Sequence, residues 1–253
     1  MNPLNLDEVR EYVNSHIDTF HENRIGSLSK TTIKNLTDKN SYLLKAKNVT
    51  KASELVERAL AARLSSSEEE HFGGFLEDLA IFVAEKTTGG HKSGVPGVDL
   101  EFNNDGWHYF ISIKSSSNWG NRSQQDQQED DLKNAVNVFR QRKGQKTQVD
   151  AILGICYGKT RTSRLRGYLK LVGQNFWTFI SGNKELYKDI VEPIGYRAKE
   201  HNEAYEKALA NVSNQLTYQF IHVFCEPDGS IDWTRLVEAT CGNFDLDKHG
   251  FNF

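Results

Sequence analysis

The chain has 253 residues, of which 38% are hydrophobic and 26% charged, with a formal net charge of −3 at pH 7. This length and composition are typical of a soluble globular protein with one large domain or two small ones. No run of about 18 apolar residues occurs, so we expect no membrane-spanning helix. The first twenty residues are amphipathic and of mixed charge, so we expect no secretory signal peptide.

The three cysteines, Cys156, Cys225 and Cys241, are far apart in the sequence. They form neither the close pairs of a metal site nor an even-numbered disulfide framework. We therefore expect them to be small core residues of a protein from the reducing cytoplasm.

Charge is unevenly distributed along the chain. Residues 133–170 contain ten lysines and arginines and a single acid, Asp150, whereas residues 65–84 are acidic. A basic segment on a mildly acidic protein favours contact with a polyanion, although an ordinary solvated surface has the same composition.

The N-terminal part of the chain is predicted to be helical. Apolar residues at helical spacing predict a helix over residues 5–24, and further helices follow around 30–47 and over 50–64. Serines and acids at its start and Gly89 and Gly90 at its end predict another helix over about 67–86. Gly73 and Gly74 are a candidate break within it.

The middle of the chain contains the predicted strands. Residues 97–102 and 108–114 flank the turn sequence Asn-Asn-Asp-Gly, which predicts an antiparallel hairpin. Residues 149–158 are almost wholly apolar, which is typical of a strand covered on both faces. Residues 166–173 alternate between polar and apolar and predict a further strand.

Predicted helices surround these strands. Residues 122–142 are polar and then helical in pattern, and residues 174–224 are mostly helical with a break at 193–195. A Ser or Asp cap and a glycine stop bound a last helix over about 230–242. The order predicts an α/β fold: a mixed sheet with helices on its faces and helical additions at both ends.

The hairpin places two opposite charges close together. Side chains alternate between the faces of a strand, so Asp99 shares a face with Glu101, and Lys114 shares one with Ser112. Asp99 and Lys114 can therefore meet. A carboxylate and the carbonyl oxygen of Ile113 suit Mg²⁺, and an ammonium can orient and help deprotonate an attacking water and stabilise the charge that develops on a phosphate. A structural ion pair at a hairpin end is the alternative.

Residues 97–101, Gly-Val-Asp-Leu-Glu, followed by Ile-Ser-Ile-Lys at 111–114, resemble the core motif of the PD-(D/E)XK nuclease superfamily. Within it, residues 112–124 and 173–195 are similar to the PmeII-like group of Type II restriction endonucleases. Residues 40–49 and 64–80 are similar to the N-terminal half of that group.

The resemblance implies a Mg²⁺-dependent endonuclease that cuts double-stranded DNA at or near a short recognition sequence, leaving 5′-phosphate and 3′-hydroxyl ends. It also implies an α/β/α core with a mixed central sheet. Residues 1–66 are expected to form a helical N-terminal region, and residues 67–253 a nuclease domain with C-terminal helices, together as one compact unit.

The resemblance also implies the site. Asp99, Lys114, Glu77 and Ser112 are the expected catalytic residues, and Asp99, Glu77 and the Ile113 carbonyl the expected metal ligands. Ser112 replaces the second acid usual in this motif, so another carboxylate must complete the metal site. Glu77 in the preceding helix is the first choice. Glu101 and Glu129 remain open as alternatives.

Two polar segments are candidates for DNA contact. The loop after Lys114 is rich in Ser, Asn and Gln, which suit base edges and phosphates. A solvated loop is the alternative, with Ser123 capping the next helix. The segment 158–167 reads as a basic, turn-like loop after a buried strand. The candidates are Asn118, Asn121, Arg122, Ser123, Gln124, Lys159, Arg161, Arg164 and Arg166.

The expected partner is double-stranded DNA, cut by a homodimer because a two-fold axis matches a palindromic site. A DNA methyltransferase of the same system is the expected functional partner. Two alternatives remain: a DNA repair or recombination nuclease, and a non-catalytic DNA-binding protein that has lost its second acid.

Overall fold

The computed structural model describes residues 1–141 and 147–242. Three of the ten basic residues within 133–170 lie outside these ranges: Arg142, Lys143 and Lys146. Across the described residues, no helix has the length and apolar character needed to span a membrane.

Four helices precede the sheet: α1 (Leu6–Ser29), α2 (Ile33–Thr37), α3 (Ser41–Ala46) and α4 (Ala52–Thr88). The two helices predicted over 50–64 and 67–86 are one continuous helix, α4, and Gly73 and Gly74 do not break it. A Cβ atom at Gly73 would lie 3.4 Å from Ser115 Oγ, so the small residue lets the helix pass close to a strand. The buried residues Phe75 and Leu76 anchor the helix directly after the glycines.

The six strands are β1 (His91–Lys92), β2 (Leu100–Asn104), β3 (Trp107–Ser116), β4 (Gln148–Tyr157), β5 (Arg161–Leu165) and β6 (Tyr168–Val172). They form one mixed sheet in the order β1-β2-β3-β4-β6-β5, in which β4 runs parallel to β3 and β6, and the other pairs are antiparallel. The predicted hairpin is confirmed as β2–β3. Its turn residues Asp105 and Gly106 both have positive φ, as a type I′ turn requires.

The prediction of a turn-like loop over residues 158–167 is wrong for its centre, because Arg161–Leu165 form the edge strand β5. This strand pairs with β6 across the short turn at Arg166 and Gly167. Four of its five residues are exposed and none is buried. Hydrophobic periodicity therefore carries no signal for this strand.

The remaining helices are α5 (Arg122–Arg140), α6 (Gln174–Ser181), α7 (Leu186–Asp189), α8 (Val191–Ile194), α9 (Ala198–Phe224) and α10 (Trp233–Cys241). Asn121 caps α5, not Ser123 as the alternative interpretation of the loop proposed. The predicted cap of the last helix is confirmed as Asp232, whose side chain accepts a hydrogen bond from the backbone N–H of Arg235.

Helices cover both faces of the sheet, which confirms the α/β architecture. One face packs against α1, α4 and α6 through a cluster that includes Ile113 and Ile152, and the other packs against α5 through a cluster that includes Phe110 and Leu153. Strand β4 supplies residues to both clusters, so its predicted burial on both faces is confirmed.

The chain forms two compact units. The first comprises Met1–Phe20 and Glu70–Ala198 and contains the sheet. The second comprises His21–Glu69 and the described residues from Lys199 onward, and its core includes Leu60 and Phe220. The expected division at residue 66 stays a prediction.

Candidate functional site

Asp99 directly precedes β2, and its carboxylate is held by β3. The backbone N–H of Asp99 donates to the carbonyl of Ile111 at 2.9 Å, and Ile111 also pairs with Leu100, so Asp99 is attached to β3 at the first residue pair of the hairpin. Its Oδ2 accepts a 2.6 Å hydrogen bond from the backbone N–H of Ile113 and a 3.2 Å hydrogen bond from the Ser112 hydroxyl. Two donors from one strand therefore orient this carboxylate.

Lys114 joins the same cluster from the next position of β3. Its Nζ lies 3.7 Å from Oδ2 of Asp99, and both side chains are about one-quarter exposed. The Nζ also lies 5.5 Å from the centroid of the Trp119 ring. The hairpin thus brings the Asp99 carboxylate and the Lys114 ammonium together near the C-terminal end of β3.

Glu77 approaches this cluster from α4. Burial raises the pKa of its carboxyl above the ordinary value, and the negative charge of Asp99 raises it further, while Lys92 and Lys114 oppose the shift. These influences place Glu77 within electrostatic range of both hairpin charges. Its Oε1 lies 3.8 Å from Nζ of Lys92, and its side chain is 30% exposed.

The position of Glu77 in α4 excludes the simplest structural explanation for an acid there. Helix α4 begins at Ala52, so Glu77 lies in its interior and not in the first turn that an acid stabilises through the helix dipole. The helix also exposes Asp78 to solvent while it half-buries Glu77. The burial of this charge therefore needs another reason.

The two alternative acids have partners of their own. Glu101 lies between two histidines, with Oε1 at 3.4 Å from His91 Nε2 and Oε2 at 3.2 Å from His108 Nε2. Glu129 pairs with Lys133 one turn further along α5. Within the described ranges, Glu77 has no such close partner, and the charge of Asp99 helps to raise its pKa.

The oxygen atoms of this cluster fit a hard divalent cation. Among the described residues, Oδ1 of Asp99 accepts no hydrogen bond, and the Glu77 carboxylate has only the long ion pair to Lys92. In an antiparallel pair, the N–H and C=O of one residue point to the same neighbouring strand. Because the Ile113 N–H bonds Asp99, the Ile113 carbonyl also faces the side of β3 on which β2 lies, beyond Leu100, the first residue of β2. Two partly buried carboxylates that repel each other, with a carbonyl beside them, suit Mg²⁺.

Within the part of the chain that the structure describes, histidine and cysteine form no alternative metal centre. The described residues contain no group of three or more His, Cys, Asp or Glu side chains arranged to hold a metal ion. Cys156 is 4% exposed, and burial raises the pKa of its thiol far above the usual range. The expectation of core cysteines holds for Cys156, whereas Cys225 is partly exposed and Cys241 is exposed.

The loop after Lys114 and the start of α5 contain residues that fix the helix terminus and other polar residues that are exposed, of which Arg122 lies 3.8 Å from Asp126. The Asn121 side chain accepts from the backbone N–H of Gln124 at 3.0 Å, and the Gln124 side chain accepts from the backbone N–H of Asn121 at 2.8 Å. This capping box fixes the start of α5. Asn118, Arg122 and Ser123 are exposed.

The basic residues after β4 fall into two groups. Arg164 donates two 2.8 Å hydrogen bonds to the two carboxylate oxygens of Asp150. Lys159, Arg161 and Arg166 are exposed and form no ion pair with any other described residue.

The sequence analysis does not single out two lysines, one that contacts Glu77 and one that lies beside Lys159 and Arg161. Lys92 forms the ion pair with Glu77 from the two-residue strand β1, which is too short to show an alternating pattern. Lys170 of β6 lines a groove of about 700 Å³ together with Lys159 and Arg161. Lys170 belongs to the basic segment over residues 133–170, but the sequence pattern does not predict the pairing of β6 with β5 that forms the groove.

A comparison with protein-family models gives a match for this chain. The sequence matches the family of the Type II restriction endonuclease EcoO109I over residues 7–202, more than three quarters of the chain. No curated protein matches the chain. The matched range contains all of the candidate site residues, and the resemblance to the PmeII-like group stays a prediction. The chain belongs to the Type II restriction endonuclease EcoO109I family.

Proposed function

We propose that this chain is a Mg²⁺-dependent endonuclease that cleaves double-stranded DNA at a specific sequence, with the hairpin cluster as a PD-(D/E)XK-type active site. The observation that carries the proposal is the oriented Asp99 carboxylate with the Lys114 ammonium 3.7 Å away and the half-buried Glu77 nearby. Membership of a restriction endonuclease family supplies the substrate.

Asp99, Glu77 and the carbonyl of Ile113 are the residues that would hold the metal. When bound, Mg²⁺ supplies Lewis acidity to the phosphate and lowers the pKa of a water ligand. Ser112 is a positioning residue in this proposal, because its hydroxyl and the Ile113 N–H fix the Asp99 carboxylate. Serine thus occupies the motif position of the second acid, and Glu77 supplies the missing charge.

Lys114 acts on the reacting phosphate and water. Its ammonium, one-quarter exposed beside Asp99, can donate a hydrogen bond to a phosphate oxygen and orient the attacking water. It also offsets the negative charge that develops as the phosphate passes through five-coordination. The ring of Trp119 covers one side of this ammonium and restricts the directions in which it can point.

DNA contact is proposed for the exposed polar residues around the site. Lys159, Arg161 and Arg166 would neutralise phosphates, and their lack of carboxylate partners among the described residues supports this role. Asn118, Arg122 and Ser123 are exposed next to the site and are proposed to contact the bases or the backbone. Asn121, Gln124 and Arg164 have the structural partners described above, so any DNA contact would add to those roles.

The proposed assembly is a homodimer, because two copies of one active site cut both strands of a palindromic sequence. A DNA methyltransferase that protects the same sequence in the host is the proposed functional partner. Sedimentation of the protein with and without duplex DNA tests the first point. Resistance of methylated DNA to cleavage tests the second.

The decisive experiment incubates the protein with unmodified phage DNA and Mg²⁺. We expect discrete fragments that disappear with EDTA, and no cleavage by the Lys114→Ala variant although it still binds DNA. The Lys188→Ala variant, which removes an exposed lysine paired with Glu185, is the control and should cut normally.

The same experiment separates the alternatives. A protein that binds DNA but does not cut it with any divalent cation would be the non-catalytic form suggested by Ser112. A smear, or nicks at junctions only, would indicate a repair or recombination nuclease. Cleavage that survives Lys114→Ala would refute the proposed active site.

A further inference from the structure

The groove beside β5 and β6 is a basic surface within the first compact unit. Its volume is about 700 Å³, and its polar lining consists of Ser117, Lys159, Thr160, Arg161, Ser163 and Lys170. None of the residues that line the groove is acidic, and its three cations form no ion pair within the described part of the chain. A concave surface with unopposed positive charge and hydroxyl groups suits a polyanion.

The strand register places two of these cations side by side. Arg161 of β5 lies opposite Val172 of β6, and Ser163 lies opposite Lys170. Residues directly opposite each other share a face, and diagonal neighbours lie about 7–8 Å apart. Arg161 and Lys170 are therefore diagonal neighbours on one face, and Ser163 lies on that face directly opposite Lys170.

This face of the sheet is also the face of Lys114. Val172 and Phe110 both belong to the cluster that packs against α5. Lys114 follows Phe110 by four residues on β3, so its side chain points to the same side. The other face of β5 is occupied, since Thr162 accepts a hydrogen bond from Asn175 of α6 and Arg164 pairs with Asp150.

The groove extends to the end of the sheet where the candidate active site lies. Ser117, three residues after Lys114, lines the groove. A Cβ atom on Gly158 would lie 2.9 Å from Ser117 Oγ, so the segments that follow β3 and β4 are in direct contact there. A polyanion that reaches Lys114 can therefore continue along the groove.

Resting on the proposed function, we infer that this groove is the subsite for consecutive phosphates of the DNA strand bound at the active site, and that Lys170 is a positioning residue within it. Lys170 lies in the middle of β6, so the sheet holds its backbone and its side chain always starts from the same point of the groove. Contacts to phosphate set the register of the duplex without reading its sequence. Lys170 should thus affect affinity and not the choice of cleavage site.

The test measures DNA affinity against salt concentration. The protein carries Lys114→Ala, divalent cations are absent, and the probe is a duplex oligonucleotide, so that binding is observed without cleavage. The logarithm of the association constant falls linearly with the logarithm of the salt concentration, and each phosphate contact adds about 0.9 to the magnitude of that slope. Lys170→Gln should lower the magnitude of the slope by about 0.9, and Lys170→Arg should preserve it. The double variant Lys170→Gln with Arg161→Gln should lower the magnitude by about 1.8.

Lys184→Gln is the matched control, because Lys184 is an exposed lysine of the same unit in the segment after α6, which packs on the other face. An unchanged slope for Lys170→Gln, or an equal fall for Lys184→Gln, would overturn the inference. Cleavage by the otherwise unsubstituted protein is scored separately. Cutting with an unchanged Lys170→Gln slope refutes the subsite alone, whereas a reduced slope in a protein that never cuts supports the subsite and refutes the proposed reaction.

Discussion

The hydroxyl of Ser112 donates a 3.2 Å hydrogen bond to Oδ2 of Asp99. Ser112 is fully buried, at the position where the PD-(D/E)XK motif that this hairpin resembles usually has an acid. A carboxylate there would be buried beside Asp99 at a high cost in desolvation and repulsion. The serine instead donates a hydrogen bond to the Asp99 carboxylate, and in the proposed site the second carboxylate is Glu77 of α4.

Removing this hydroxyl tests its supporting role. Ser112→Ala should lower the free energy of unfolding by about 1.5 kcal/mol, since a hydrogen bond to a charged group is lost. DNA cleavage should fall about tenfold, which corresponds to about 1.4 kcal/mol of transition-state stabilisation. Urea unfolding and single-turnover cleavage give the two quantities.

Ser115→Ala is the control for that substitution, because Ser115 lies on the same strand but contacts α4 at Gly73. It should leave cleavage unchanged. An Ser112→Ala protein with full activity would mean that the Ile113 N–H alone orients Asp99.

A set of three isosteric substitutions identifies the second carboxylate. Glu77→Gln should reduce cleavage by about 100-fold or more, because it removes one of the two charges proposed to hold the cation. Glu129→Gln should cut at the normal rate, since Glu129 is paired with Lys133. Glu101→Gln should also cut, with reduced stability through loss of its histidine partners. A cleavage defect in Glu129→Gln alone would indicate that Glu129 of α5, and not Glu77, is the second carboxylate of the metal site.

The raised pKa of Glu77 predicts a stability that depends on pH. In the unfolded chain this carboxyl has its ordinary pKa of 4.5, and in the native protein burial and the Asp99 charge raise it. The native state therefore binds the proton more tightly, and ionisation of Glu77 opposes folding as pH rises through the native pKa. Without divalent cations, Glu77→Gln should be more stable than the unsubstituted protein at neutral pH. The difference should vanish below the unfolded pKa.

Urea unfolding of both proteins at a series of pH values from about 4 to about 8 measures this difference. The same series with Mg²⁺ adds a second expectation. A cation that binds only the native state raises its stability. Mg²⁺ should therefore stabilise the unsubstituted protein more than Glu77→Gln, and an equal effect on both would argue against Glu77 as a ligand.

The packing of α6 on the sheet depends on a glycine in β4. A Cβ atom at Gly154 would overlap the buried ring of Phe176, which has no room to move. Gly154→Ala should lower the free energy of unfolding by about 1–3 kcal/mol, as overpacked cores do. Gly74→Ala is the contrasting variant. Gly74 is exposed in the interior of α4 with no atom near its Cβ position, so alanine should stabilise the protein by about 0.5–1 kcal/mol.

Two asparagines near the active site should differ in what they do. Asn121→Ala removes the N-cap of α5 and should lower the free energy of unfolding by about 1 kcal/mol. Asn118→Ala should leave stability unchanged, because Asn118 is exposed and its side chain makes no hydrogen bond to another described residue. Thermal unfolding together with duplex DNA affinity separates capping from DNA contact. A fall in affinity for Asn118→Ala at constant stability would support its proposed role.

The sequence alone determined the parts of this protein that depend on near neighbours in the chain. The β2–β3 hairpin follows from alternating side chains on both sides of a turn sequence, and the pairing of Asp99 with Lys114 follows from that hairpin. The buried strand β4 follows from its apolar run. The resemblance to the nuclease superfamily rests on residues 97–101 and 111–114 of the same hairpin.

Only the tertiary structure decided which residues of elements distant in the sequence lie close to one another. Whether Glu77, Glu101 or Glu129 approaches Asp99 depends on how α4 and α5 pack against the sheet. The edge strand β5 has no buried side chain, so its existence depends on pairing with β6 and leaves no periodic pattern. Helix periodicity and strand alternation record which side chains are buried, but the partner of a charge is set by the three-dimensional packing that buries it.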